Sequence, residues 1–141
     1  MSTNVDLEQE KAALLESHRK DRRAHYEKDV DLLLTGGASE FISVSNGEIQ
    51  RSTLDEQRAF FMDYFTGAKY YEGDDLEPPI IRVSNDASIA WMIVRIKVRR
   101  TTRQENSDEE RETQFIYAGI MTYEKQAGKW RRTANVSTFA Q

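Results

Sequence analysis

The sequence has no cysteine. Disulfides, thiol nucleophiles and cysteine-ligated zinc or iron–sulfur centres are therefore excluded. Histidine is almost as scarce. His18 and His25 are the only two, and a metal site would need a third ligand. Asp21 and Asp29 lie within a helical turn of them, but the spacing matches no recognised zinc motif, so neither metal nor cofactor is expected. Positive charge is not in excess. The net charge of -4 argues against a general phosphate-backbone surface, and nucleic acid is not an expected partner. No apolar run approaches the roughly 20 residues of a membrane span. The first residues, Met-Ser-Thr-Asn-Val-Asp-Leu-Glu, lack the basic start and apolar run of a secretory leader. The expectation is a soluble cytoplasmic protein without a membrane partner. A glycine-rich phosphate loop and a Ser/His/Asp spacing are missing too. A chain of 141 residues nonetheless buries enough surface to fold as one domain, residues 1–141, without a staple.

What is present is a strong period of two. From Ala87 to Arg100, Ala90, Met92, Val94, Ile96 and Val98 fall on one face, and Trp91, Ile93, Arg95, Lys97 and Arg99 on the other. This predicts a long strand with one apolar face. Phe115 to Tyr123 and Lys129 to Phe139 predict two more, the last two joined by a turn at Gln126-Ala127-Gly128. Thr101 to Glu112, without a hydrophobe, reads as a polar, mobile hairpin loop. Pro78-Pro79 precede Ile80–Val83 and predict an edge strand, since proline cannot donate to a ladder. Tyr70–Glu72 reads as a short strand. Upstream, residues 5–27 predict a helix and Asp29–Leu34 a second, stopped at Gly36-Gly37, where positive φ is available. Phe41–Val44 and Ile49–Arg51 flank Asn46-Gly47, a strong hairpin signal. Thr53 with Glu56 predicts a capping box opening a third helix, Leu54–Phe65. Helices followed by a run of antiparallel strands make an α+β fold with one covered sheet face.

The first helix has an unusual inward stripe: Leu7, Leu14 and Leu15, then His18, Asp21, Arg22 and His25, with Tyr26 at its edge. Its polar middle overhangs solvent or roofs a polar cavity. In the second case His18, His25 or Asp21 could handle a proton, histidine titrating near neutral pH. The plainer alternative is an ion-pair network in which Arg22 meets Asp21 or Asp29 and the histidines bond to the sheet. Arg95, Lys97 and Arg99 form a cationic row that reads best as a solvated face, paired across strands with residues 108–110 or Glu112.

The order of elements resembles the nuclear transport factor 2-like superfamily, in its SnoaL-like and ketosteroid-isomerase-like branch. The resemblance rests on the first helix running into Asp29-Val30-Asp31-Leu32-Leu33-Leu34, the strand Phe41–Val44, the helix entry Arg51-Ser52-Thr53-Leu54-Asp55-Glu56, the strand Ala87–Arg100 and the hairpin Tyr123-Glu124-Lys125-Gln126-Ala127-Gly128-Lys129-Trp130-Arg131. It covers nearly the whole chain. It implies a curved, mostly antiparallel mixed sheet forming a cone covered by N-terminal helices (the cystatin-like architecture), a cavity for a small molecule, and a homodimer through the outer sheet face. With a cavity implied, Arg22, Tyr26, Phe61, Tyr64, Trp91, Tyr117 and Asn135 are its candidate ligand-binding residues. The steroid-isomerase machinery is not carried over: its tyrosine position falls near Asp21 or Arg22 and its base near Ser45. Two functions stay open, a small-molecule enzyme and a non-catalytic ligand-binding or assembly module.

Overall fold

The computed structural model describes residues 6–103 and 109–140. Helix α1 spans Leu7–Glu27, opened by the Asp6 carboxylate, which accepts from the amides of Glu8 and Gln9. It ends at Lys28, whose left-handed φ of 56° turns the chain back. Asp29 then caps α2, Val30–Thr35, accepting from the Leu32 amide at 3.0 Å. The glycine stop expected at Gly36 works differently. Gly36 keeps a right-handed φ of -86°, and the left-handed residue is Lys28, at the reversal between the two helices.

Strands β1 (Gly37–Ser45) and β2 (Glu48–Thr53) meet at Asn46-Gly47, both with positive φ, as that hairpin turn requires. Helix α3, Leu54–Gly67, has both bonds of the capping box between Thr53 and Glu56. Then follow β3 (Ala68–Asp75), β4 (Ile80–Val83), β5 (Ile89–Arg103), β6 (Glu110–Gln126) and β7 (Lys129–Ala140). Strand β5 starts later than expected, because Ala87 takes a left-handed φ of 56° inside the turn before it. It also runs further. Thr101, Thr102 and Arg103 pair with Glu112, Arg111 and Glu110, so polar residues expected in a loop extend the ladder instead. Backbone pairing needs no hydrophobe where cross-strand charges and threonines suit it. The expected partner at position 108 lies outside the described residues.

The sheet runs β2-β1-β7-β6-β5-β3, with β4 sharing the same edge of β5 as β3. Among the described residues only the β1–β7 pair is parallel. The sheet curves without closing, and α1 packs over β3 and β4 while α3 reaches β1, β2 and β3. Under α1 the core gathers Leu14, Met92, Val94, Met121, Tyr123 and Trp130. The Glu10 carboxylate clamps helix to sheet, accepting from Lys125 Nζ and from the Trp130 indole at 2.6 Å. These bonds outweigh burial and hold the Glu10 carboxyl below its usual range.

The outer face of the sheet carries a continuous apolar row. Direct cross-strand pairing links Ile49, Val44, Val136, Ile120, Ile93 and Ile80, one residue per strand. At strand spacing that row is about 24 Å long. Ile49, Val136, Ile93 and Ile80 remain exposed.

A cavity between the first and third helices and the sheet

The inner face of the sheet and the helices α1 and α3 enclose a cavity of about 900 Å³. Phe60 and Phe139, both more than half exposed, stand at its rim. Of the residues singled out in the sequence, His18, Asp21, Arg22, His25 and Tyr26 border it from α1, Phe61 and Tyr64 from α3, and Tyr117 and Asn135 from the sheet. Trp91 does not. It lies opposite Arg82 and Thr122, out of phase with Val94 and Ile96, which do face the cavity, so the strand's own period of two turns it to the outer side.

Two β-bulges decide which polar residues turn inward. Tyr71 is skipped in the β3–β5 register and Thr133 in the β6–β7 register. Each skipped residue shifts the alternation by one. On β3 this puts Tyr70 and Gly73 on the cavity side and carries Asp75 toward α1. On β7 it puts Arg132 on the same side as Asn135 and Ser137.

The stripe on α1 is thereby met by charges from the sheet. Arg22 pairs with Asp75 at 2.5 Å, and His18 Nε2 donates to the other Asp75 oxygen at 2.9 Å. Burial works against the Asp75 charge, but the bonds from His18 and Arg22 prevail and hold its carboxyl below the usual range. Asp21 pairs with Arg132. The partners expected for Arg22 within its own helical region, Asp21 and Asp29, are thus taken up elsewhere, one by Arg132 and one as the cap of α2. Asp21, adjacent to Arg22 in the helix, does not face it, whereas the Asp75 carboxylate is presented from the strand opposite.

His25 is held differently. Its Nδ1 bonds to the Asp21 carbonyl at 2.7 Å. A carbonyl only accepts, so Nδ1 carries the proton and the neutral ring leaves a lone pair on Nε2. The imidazole sits edge-on to Phe65 and Tyr70, with centroids 5.5 and 5.1 Å away. Burial, the largest influence, pulls its pKa below 6.5; the Asp21 carbonyl and charge oppose this, and Arg132 and Arg100 reinforce it. A histidine with a lowered folded pKa binds fewer protons folded than unfolded, so stability must fall as pH drops below 6.5 toward the folded value. Denaturant titrations across pH are expected to show that decline in the wild-type protein. In His25→Phe the decline in this window should disappear.

Next to His25, Arg100 enters from β5, in phase with Val94, Ile96 and Val98. Its Nη1 donates to the Tyr70 hydroxyl at 3.2 Å, and its guanidinium carbon lies 5.4, 5.9 and 4.9 Å from the rings of Tyr64, Tyr70 and Phe115. The Tyr70 and Tyr64 hydroxyls bond to each other. Burial pushes the Tyr70 phenol up and the Arg100 guanidinium down from their ordinary values. Both keep their usual protonation at neutral pH, given how far their ordinary values lie from it.

Sequence reasoning missed Tyr70, Asp75, Arg100 and Arg132. Arg100 had a signal, being one step past Val98 in the same alternation. The other three depend on the two bulges. Among the described residues, no group of three or more histidines and carboxylates is arranged to hold a metal ion. No described helix is long and apolar enough to cross a membrane. Within the cationic row, Arg99 pairs with the expected Glu112 at 3.2 Å and also with Glu72, and Arg95 pairs with Glu77.

A curved open sheet with helices over its inner face is the nuclear transport factor 2-like, or cystatin-like, fold, and solved structures with that fold superpose on this chain. A putative calcium/calmodulin-dependent kinase II association domain from Exiguobacterium sibiricum 255-15 is similar over 99% of this chain and 98% of its own, with a TM-score of 0.72 at 8% identity. A ketosteroid isomerase-like protein from Erwinia carotovora atroseptica SCRI1043 covers 92% and 95%, with a TM-score of 0.69 at 13% identity. A protein of unknown function in nutrient uptake from Rhodospirillum rubrum ATCC 11170, described as NTF2-like, covers 91% and 98%, with a TM-score of 0.71 at 14% identity. At these identities the likeness is one of fold. No family model and no curated protein matches the sequence.

Proposed function

We propose that the chain is a SnoaL-like cytoplasmic protein whose cavity binds a small, largely apolar molecule and whose His25 exchanges a proton with it. One observation carries this reading. Of the three proton-handling candidates, His18 is engaged by Asp75 and Asp21 by Arg132, whereas His25 keeps an Nε2 lone pair with no hydrogen-bond partner among the described residues. A general base needs an unneutralised, accepting atom beside the ligand. The chemistry is of the isomerase, cyclase or hydrolase kind, in which a positioned base moves a proton without a cofactor. A cysteine-free chain suits the reducing cytoplasm.

The test is binding of a neutral, apolar fluorescent probe, 1-aminoanthracene. Saturable binding at one probe per chain is expected. Ser137→Trp, which puts a large ring into the cavity from β7, should weaken it at least about tenfold while the protein stays folded by circular dichroism. Undiminished binding in that variant would sink the cavity reading.

A second reading, a homodimeric assembly module with or without catalysis, is favoured by the six-strand apolar row on the outer face. Exposed apolar strips of this length are uncommon on monomers. The Exiguobacterium protein, and one from Xanthomonas campestris similar at 18% identity and a TM-score of 0.57, are association domains by name. Sedimentation equilibrium should give a dimer for the wild type and a monomer for Val136→Lys. A monomeric wild type would dispose of the assembly reading.

A further inference from the structure

We infer that the cavity's ligand is a monoanion, a small apolar carboxylic acid whose carboxylate is anchored by Arg100. The inference deepens the cavity reading above and rests on it. Four arginines border the cavity, Arg22, Arg51, Arg100 and Arg132. Arg22 and Arg132 are neutralised by Asp75 and Asp21, and Arg51 is exposed on β2. Arg100 is half-buried, and among the described residues no carboxylate lies within ion-pairing distance of it.

What surrounds Arg100 attracts a cation without cancelling its charge. Three ring faces, those of Tyr64, Tyr70 and Phe115, lie within 5.9 Å, and a single neutral phenol accepts from Nη1. Its Nε is buried with no hydrogen-bond partner among the described residues. A desolvated guanidinium left with unused donors is costly unless something completes it, and an internal carboxylate is not supplied. Among the described residues, Arg22 Nε and Asn135 Oδ1 on other cavity-lining side chains are likewise buried without a partner.

The geometry selects the anion. A planar guanidinium fork matches the two oxygens of a carboxylate. A phosphate dianion would call for a second cation nearby, and the other inward arginines are already spent on Asp75 and Asp21. The rest of the wall near Arg100, formed by Ile96, Val98, Phe115 and Phe61, suits an apolar body. Arg100 and His25 both pack against the Tyr70 ring, 5.9 and 5.1 Å from its centroid.

The experiment uses a matched pair of probes, 2-naphthoate and the isosteric neutral 2-naphthamide, measured by calorimetry on the whole chain. The wild type is expected to bind naphthoate about 10- to 100-fold more tightly than the amide, the scale of a charge-assisted hydrogen-bonded pair. Arg100→Gln should remove that preference and leave amide binding within about twofold. Arg95→Gln, on the outer side of β5, should leave the preference intact. Should Arg100→Gln fold poorly, Arg100→Lys keeps the charge but not the fork, and should retain only part of the preference. Equal binding of the two probes by the wild type, or a preference that survives Arg100→Gln, overturns the carboxylate assignment while leaving the cavity reading in place. Binding of neither probe overturns both.

Discussion

Asp21→Asn is expected to lower folding stability by about 3–5 kcal/mol, the usual loss when one member of a buried ion pair is removed. Asparagine keeps the size of the side chain and can still bond, so the loss isolates the charge. Both partners are largely enclosed, with side-chain exposures of 14% for Asp21 and 13% for Arg132. Burial by itself would pull the Arg132 guanidinium down. The Asp21 charge, with help from the Tyr123 hydroxyl, overrides it and holds the value above the ordinary one. Without Asp21 that compensation goes, and Arg132 is left charged beneath α1. Since domains of this kind are stable by only about 5–15 kcal/mol, a shift of this size should be plain in urea titrations. The double variant Asp21→Asn/Arg132→Met should regain most of the loss, because apolar replacement of a whole buried pair is near neutral. A single variant within about 1 kcal/mol of wild type would mean that water solvates Arg132 and the pair holds little.

The second large effect is expected at Leu14, which is fully buried in the core between α1 and the sheet. Leu14→Ala removes three carbons from beneath the helix and leaves a hole that the alanines around it, Ala87 and Ala90, cannot fill. Substitutions of this kind cost about 2.7–5 kcal/mol, the spread reflecting how far a site can collapse. The value should sit in the upper half of that range. Sheet residues such as Met92 and Tyr123 are held by the ladders on both sides, and the Glu10 clamp fixes the helix one turn away. Thermal unfolding should fall by roughly 10 °C or more for a chain of this length. A loss under about 1.5 kcal/mol would show the helix settling into the gap.

Much of this architecture was written locally. The period of two in β5 and β6, the Asn46-Gly47 turn and the Thr53–Glu56 box each depend on a few neighbouring residues, and each stands where those residues put it. The site was legible only in part. The stripe on α1 told that polar groups face inward, and it told nothing of what they meet, since Asp75 and Arg132 come from strands far along the chain. Those two, with Tyr70, also hinge on bulges at Tyr71 and Thr133, where one residue leaves the ladder and reverses the facing of those beyond it. No composition or spacing around either residue marks it as bulged. Trp91 failed for the opposite reason. The period of two had already sent it outward, and its aromatic bulk argued for a cavity role that its position could not fill.

Strand β5 serves two surfaces at once. Val94, Ile96, Val98 and Arg100 meet whatever occupies the inside, and Ile93 and Arg95 meet whatever lies outside, with one backbone between the two sets. Substitutions at alternate positions are therefore chemically insulated from one another. A lineage carrying this strand is free to change its inner lining while the outer face stays constant, or to change that face while the lining is kept. Neither trait has to wait on the other.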